Sequence, residues 1–235
     1  MNILAVDTAG KTASVALMKD GRLLYEAFLD GGLTHSETLL PMIDTCLKTC
    51  GMSCADIDLY GVNAGPGSFT GLRIGLAAVK GLALPRQTPC APVSTLEALA
   101  ACHAGVGTVL CALDARRGQV YCAAFDLETH ARLMEDDAQA AASLEDFVKS
   151  CKKPLFFVGD GAHLCYNIYS EAEGVLPVPP ALRGGHGAGV ALTAQRMAEA
   201  GLTVPPAALL PDYHRLSQAE RERAERLAAA QTEQE

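Results

Sequence analysis

One pattern occurs twice in this chain, about half a chain apart, and limits the fold more than any other feature. A short apolar run ends in an aspartate, the chain turns on polar residues, and a second apolar run follows. In the first copy, residues 2–6 lead into Asp7, the turn is Asp7-Thr8-Ala9-Gly10-Lys11-Thr12, and residues 13–18 resume. In the second, residues 108–113 lead into Asp114, Arg116-Arg117-Gly118 turn the chain, and residues 120–125 resume. Superposing Asp7 on Asp114 sets Ile3, Leu4 and Val6 on Leu110, Cys111 and Leu113, and Val15 and Ala16 on Cys122 and Ala123. Each copy then continues into strand and helix patterns of similar order.

Asp20-Gly21 predicts a hairpin turn into a third strand over residues 22–29. Thr34 and Glu37 predict a capping box for a helix whose apolar residues Leu39, Leu40, Ile43 and Leu47 keep the 3.6-residue period. Gly51 is placed as its C-terminal cap. Residues 57–62 read as a strand, 63–71 as a loop and 72–84 as a second helix. Pro85, Pro89 and Pro92 punctuate the exit before Ser94 and Glu97 start a short helix to Cys102. The second half is less regular. Ser143 and Asp146 suggest a helix start, residues 155–158 a strand, and a helix follows to Tyr166. A glycine-rich turn over 184–189 precedes a helix over 190–200, and a charged helix is read over 217–230. Strands alternating with helices in two like-built halves predict an α/β protein with two mixed-sheet lobes. The lobes are placed at 1–104 and 105–235, with the last helix packing back on the first. A strand–turn–strand hairpin heading each lobe is the arrangement of a duplicated actin-like (ASKHA) ATPase fold, in which the two turns face a nucleotide's phosphates across a cleft.

Composition removes several functions. Hydrophobic residues make up 49% of the chain, enough for a packed core, yet there is no Trp, so core volume comes from Leu, Val, Ile, Ala and Cys. The formal net charge of −8 makes it a poor candidate for binding RNA alone, since an electrostatic footprint on nucleic acid needs a basic surface. The nine cysteines include no C-x-x-C, which favours reduced core thiols over a zinc site. No apolar run approaches the ~20 residues of a membrane span, and the apolar start is cut at Asp7 with no basic region before it. A cytoplasmic protein is expected.

The first turn has two readings. Asp7, Thr8, Gly10 and Thr12 can supply a carboxylate for a metal and backbone N–H groups for phosphate, matched by Asp114 and Gly118 in the second turn. The same residues also make an ordinary tight turn. Residues 65–75, GPGSFTGLRIG, are the strongest local signal. They lack the Walker Lys-Ser/Thr ending and are not a G-x-G-x-x-G after a first strand. Gly71, Gly75 and Ala78 share one helix face, which predicts a packing or dimer face rather than a phosphate loop. His35 reads as a cap or surface residue. Ser68 and Ser94 have no evident His/Asp partners, and no H-E-x-x-H or H-x-x-x-H occurs. No catalytic residue and no metal ligand is assigned.

Six segments together carry a resemblance. They are ILAVDTA (3–9), HSETLLPMI (35–43), NAGPGSFTGLRIGLAAVKGLA (63–83), PVSTLEALA (92–100), ALDARRGQVYCA (112–123) and VGDGA (158–162). In this order they resemble the TsaB (YeaZ) family, bacterial proteins of threonylcarbamoyladenosine synthesis in tRNA. The family's Pro-x-Tyr-Leu-Arg run is here Pro211-Asp212-Tyr213-His214-Arg215, with His for Leu. The resemblance implies the duplicated actin-like fold and a subunit that is not itself the catalyst. The catalytic paralogue TsaD carries a metal-binding His-x-x-x-His after a Pro-Val. After Pro92-Val93 this chain has Thr95 and Leu99 at those places, and neither can replace imidazole at a metal. It also implies pairing with a TsaD-type subunit, joined by a TsaE-type ATPase, to move a threonylcarbamoyl group from its adenylate onto the adenosine 3′ of the anticodon. The tRNA would be met only through that complex. The helix of Leu39, Ile43 and Leu47 and the helix of Gly71, Arg73, Gly75 and Ala78 would form the shared interface, and a homodimer when the chain is alone. No cofactor of its own is implied, with ATP or ADP belonging to the complex. Two other readings stand beside this one: an ATP-hydrolysing or sugar-kinase-like enzyme using Asp7 and the Asp114 turn, and a metallopeptidase, against which the missing histidine pair argues.

Overall fold

The computed structural model describes residues 1–214; the helix read over 217–230 and Arg215 lie outside them. The first sheet is built from β1 (Asn2–Asp7), β2 (Ala13–Lys19), β3 (Arg22–Leu29), β4 (Leu59–Gly65) and β5 (Cys90–Ser94), in the order β3-β2-β1-β4-β5. The second contains β6 (Thr108–Arg116), β7 (Gln119–Asp126), β8 (Arg132–Ala140), β9 (Leu155–Val158) and β10 (Val175–Leu176), in the order β10-β9-β6-β7-β8. From the central strand outward the two orders are the same. An antiparallel meander lies on one side and two parallel strands on the other. Tight turns allow the antiparallel pairs, whereas the parallel pairs need helical crossovers.

The helices are α1 (His35–Thr49), α2 (Phe69–Ala83), α3 (Thr95–Ala101), α4 (Glu145–Ser150), α5 (Ala162–Tyr169) and α6 (Gly187–Glu199). α1 and α2 cover the outer face of the first sheet, setting Leu39, Ile43, Leu47, Leu72 and Leu76 against Leu4, Val6, Val15 and Leu17. Each fully buried aliphatic side chain contributes about 1.5–3 kcal/mol. α4 and α5 cover the second sheet, with Val148, Cys165 and Tyr169 against Leu110, Ala112, Val120 and Cys122. The remaining two helices are exchanged. α3, from the first half, lays Leu96, Leu99 and Ala100 on Val109, Cys111 and Leu113 of the second sheet. α6, from the second half, lays Val190, Ala191 and Ala194 on Ile3, Ala5 and Met18 of the first. A division at 104/105 therefore separates the sheets but not the lobes. The chain after α6 also returns to the first lobe, where Val204 bridges to Cys90 and Leu209 enters the core.

The duplication read from the sequence is present, with a register one residue different at its most informative point. Leu4 and Val6 of β1 face the outer helices, as do Leu110 and Ala112 of β6. Because alternate strand residues take opposite faces, Leu4 corresponds to Leu110, Val6 to Ala112, and Asp7 to Leu113 rather than Asp114. The second strands match as read. Val15 pairs with Val6, and Cys122 pairs with Ala112. The extra residue of the second copy is taken up at the irregularity between Asp114 and Arg116.

Candidate functional site

A cleft of about 230 Å³ lies between the lobes. The first hairpin contributes Asp7, Gly10, Lys11 and Thr12, the second lobe Leu113, Gly159, Asp160 and His163, and α3 contributes Thr95 and Leu99. A chain segment that includes Arg183, Gly184 and Gly185 closes one side. Of the residues expected to face a nucleotide, three are here: Asp7, Gly10 and Thr12. The other three are not. Thr8 is buried and donates its hydroxyl to the Gly71 carbonyl at 2.8 Å, so it fastens α2 instead of facing the cleft. Asp114 points to the other side of its strand and accepts the Arg116 N–H at 2.7 Å, capping its own turn. Gly118 sits at the exposed tip of that turn with φ 71°. These three assignments are corrected by strand parity and turn geometry: in the second lobe the place of Asp7 belongs to Leu113, a hydrocarbon.

Burial holds the Asp7 carboxyl above the usual carboxylate range, against the Ala9 N–H that donates to Oδ1 at 2.9 Å. A Cβ at Gly185 would lie 2.1 Å from Asp7 Oδ2, so the glycine turn is pressed directly on this carboxyl. The glycines over 184–189 thus have a packing reason. Another is Gly189, where a Cβ would meet the Ala98 carbonyl at 2.1 Å. Asp160 was legible only as the end of a strand in VGDGA. It accepts the Asp114 N–H at 2.9 Å through Oδ1, and burial raises its pKa. Beside the cleft, Glu26 and His186 form a pair at 3.5 Å, with the His186 ring stacked on Phe28. The bond to Glu26 raises the His186 pKa. His35 holds the first turn from α1, its Nε2 3.0 Å from the Gly10 carbonyl.

Two N–H donors of the glycine-rich loop before α2 are engaged within the chain. Ser68 N–H donates to the Ala9 carbonyl at 2.7 Å, and Gly71 N–H donates to Ser68 Oγ at 3.2 Å. Gly67 has φ 156° and approaches the Ala9 carbonyl so closely that a Cβ would fall 2.6 Å from it. Gly71 and Gly75 make room for β1's end, since their Cβ atoms would sit 2.0 Å from the Thr8 carbonyl and 2.4 Å from Thr8 Oγ1. Leu39, Ile43 and Leu47 are buried in the same lobe. The side chains expected at an interface are therefore mostly internal, and the small-residue face serves this chain's own packing. Facing outward instead are Leu40, which is 54% exposed, and Pro41 on α1, with Thr70, Arg73, Ala77 and Gly81 on α2. Ala78 is partly buried. Arg73 is held by the segment that follows α6: Nε donates to Tyr213 Oη at 2.8 Å, and Tyr213 stacks on Phe69 at 4.6 Å.

Among the described residues there is no group of three or more His, Cys, Asp or Glu that could hold a metal ion. Nor is any helix there long and apolar enough to cross a membrane.

Residues 32–147 match the family model described as TsaD, tRNA N6-adenosine threonylcarbamoyltransferase. The tRNA threonylcarbamoyladenosine biosynthesis protein TsaB of Escherichia coli is 38% identical over 148 residues, which cover 62% of this chain and 64% of that protein, just under two thirds of its length. The protein of the same name from Bacillus subtilis is 31% identical over 177 residues, covering 74% of this chain and 77% of that one. Among solved structures, YeaZ from Pseudomonas aeruginosa superposes with a TM-score of 0.72 at 26% identity, covering 90% of this chain and 99% of that one. Component A of (R)-2-hydroxyglutaryl-CoA dehydratase from Acidaminococcus fermentans, at 14% identity and a TM-score of 0.51 over 85% of this chain and 99% of that one, shares the fold alone. The chain belongs to the TsaB family of tRNA threonylcarbamoyladenosine biosynthesis proteins.

Proposed function

We propose that this chain is a non-catalytic subunit in the threonylcarbamoylation of tRNA, required because it pairs with a TsaD-type catalytic subunit that a TsaE-type ATPase joins. The observation that carries this reading is the identity of the residues on the α3 side of the cleft. Thr95 and Leu99 line it at the two places where the catalytic paralogue has metal-binding histidines. A neutral alcohol and a hydrocarbon give no ligand set for a divalent metal. The second hairpin also brings Leu113 to the cleft, so a phosphate-bound metal would find only one of the two hairpin carboxylates. That weighs against the ATPase and sugar-kinase reading, and against a resident ATP or ADP.

The partner surface is the outward side of the α1–α2 pair. Its exposed residues include Leu40, Pro41, Thr70, Arg73, Ala77 and Gly81, a face with one large apolar anchor and one cation. Without the paralogue the same face pairs two copies of the chain. A subunit of this kind acts by binding its partner's active conformation preferentially, and its effect is bounded by that difference in affinity. With a net charge of −8 the chain meets tRNA through the complex and not alone, and its place of work is the cytoplasm. Sedimentation of the chain with a purified TsaD-type protein tests the reading. Leu40→Glu should abolish the mixed species while leaving the circular dichroism spectrum unchanged. Undiminished pairing by Leu40→Glu would remove α1 from the interface.

A further inference from the structure

The cleft that lacks the paralogue's histidines is not thereby featureless. Thr95 is 2% exposed, lines the cleft, and its hydroxyl has no hydrogen-bond partner among the described residues. A buried polar group without a partner costs free energy, and such groups in folded proteins call for a ligand or an ordered water. Asp7 is 3% exposed and makes no ion pair among the described residues, with His186 and His35 acting on its carboxyl only through space. Asp160 spends Oδ1 on the Asp114 N–H, and Oδ2 is the nearest atom to the open side of Gly10, 3.9 Å from where a Cβ would stand. The cleft thus holds an unpartnered hydroxyl beside two carboxylates. Two cationic side chains also line it. Arg183 uses only Nε, on the Val178 carbonyl at 2.7 Å, and Lys11 makes no ion pair among the described residues. Leu99, Leu113 and Phe28 supply an apolar wall.

We propose that this cleft is a binding site for a small α-amino acid with a short apolar side chain. Its ammonium is held by the Asp7 and Asp160 carboxylates with the Thr95 hydroxyl, and its carboxylate by Lys11 and Arg183. Size selects this class over a nucleotide. The volume of about 230 Å³ lies below the ~300–1,000 Å³ of sites for larger ligands. Charge fits it too: two carboxylates match an ammonium and two cations match a carboxylate, whereas a simple amine would leave the two cations unused. The proposal concerns the isolated chain and does not depend on the pairing proposed above.

The test is calorimetric titration of the full chain with L-valine, with isobutylamine and 3-methylbutanoate as the two halves of that molecule, and with MgATP. L-valine should bind saturably, one molecule per chain. Each half should bind roughly tenfold weaker or worse, as expected for losing a charge-assisted contact. Amide resonances of Gly10 and Gly185 should shift with L-valine. Thr95→Val removes the unpaired hydroxyl at constant shape, so it should weaken L-valine binding several-fold while leaving the melting temperature equal or higher. Lys11→Gln should weaken L-valine but not isobutylamine. The proposal is overturned if millimolar L-valine gives neither heat nor shifts, if Thr95→Val and Lys11→Gln bind it as tightly as the parent, or if MgATP binds and L-valine does not.

Discussion

Gly71→Ala separates packing inside the lobe from packing between chains. Alanine is the better helix former by ~1 kcal/mol, so on propensity alone the change should stabilise α2. The structure reverses that sign. The new methyl would stand 2.0 Å from the Thr8 carbonyl oxygen and 3.2 Å from its carbon, both backbone atoms that cannot rotate away. The β1 end and α2 must separate by more than an ångström, an overpacking cost of about 1–3 kcal/mol or more. The same movement loosens the bond from Thr8 Oγ1 to the Gly71 carbonyl, worth a further ~0.5–1.5 kcal/mol. After the propensity gain, a net loss of about 1–3 kcal/mol is expected, near 2–4 °C of melting temperature per kcal/mol at this size. Gly81→Ala is the control on the same helix, where a Cβ would meet nothing within 4 Å. It should stabilise by up to ~1 kcal/mol. Urea denaturation of both variants at low protein concentration provides the measurement. If Gly71→Ala is as stable as Gly81→Ala and only dimerisation is lost, the small-residue face belongs to an interface after all.

The Glu26–His186 pair predicts a pH window. The raised His186 pKa gives stability that is complete below the unfolded value of 6.5 and lost as pH rises through the folded value. For Glu26, burial opposes ionisation, but the His186 bond and the Ala188 N–H lower its pKa on balance, so its contribution is present above 4.5 and lost as pH falls through the lowered value. Parent and Glu26→Gln melting curves should therefore differ most between pH 4.5 and 6.5, and a constant difference from pH 4 to 9 would count against the pair. Ser94→Ala removes the α3 N-cap bond to Glu97 N–H and the 2.6 Å bond to Asp136 across the lobes, and should cost about 1–2 kcal/mol by denaturation; no loss would mean the cap is idle. Burial pushes the Cys46 and Cys165 thiols up to about 12, and both are fully buried, so at neutral pH iodoacetamide should leave these two unlabelled in the folded chain, as peptide mapping would show. Rapid labelling of either of them would contradict the packing described.

Much of the fold was legible because strand–aspartate–turn repeats and helical periods are local signals. β3 was read at its true bounds, and the duplication led to the two-lobed architecture. β5 was hidden because Pro89 and Pro92 look like loop punctuation, yet an edge strand tolerates proline. β8 was hidden because an edge strand carrying Glu135, Asp136 and Asp137 lacks the apolar alternation of a buried one. The register at Asp114 is not legible from like residues alone, because matching aspartate to aspartate leaves open which face each strand residue takes. The cleft was half legible. Asp7, Gly10 and Thr12 lie close together in sequence, whereas Asp160, Arg183 and Gly185 reach it only through tertiary contact. Thr34 shows the limit of cap rules, since its backbone carbonyl takes the Glu37 N–H and its side chain makes no cap bond.

The central claim is that this chain supports tRNA threonylcarbamoylation from its surface and not from its cleft. It is tested most directly by quantifying the modified nucleoside in a reaction rebuilt from purified TsaD-, TsaE- and TsaC-type proteins, unmodified tRNA and either the parent chain, Leu40→Glu or Asp7→Asn. The account predicts no product without the chain, a loss of at least tenfold with Leu40→Glu, as expected for an interface anchor, and near-parent product with Asp7→Asn. Abolished modification by Asp7→Asn in a complex that still assembles, with Leu40→Glu fully active, would contradict it.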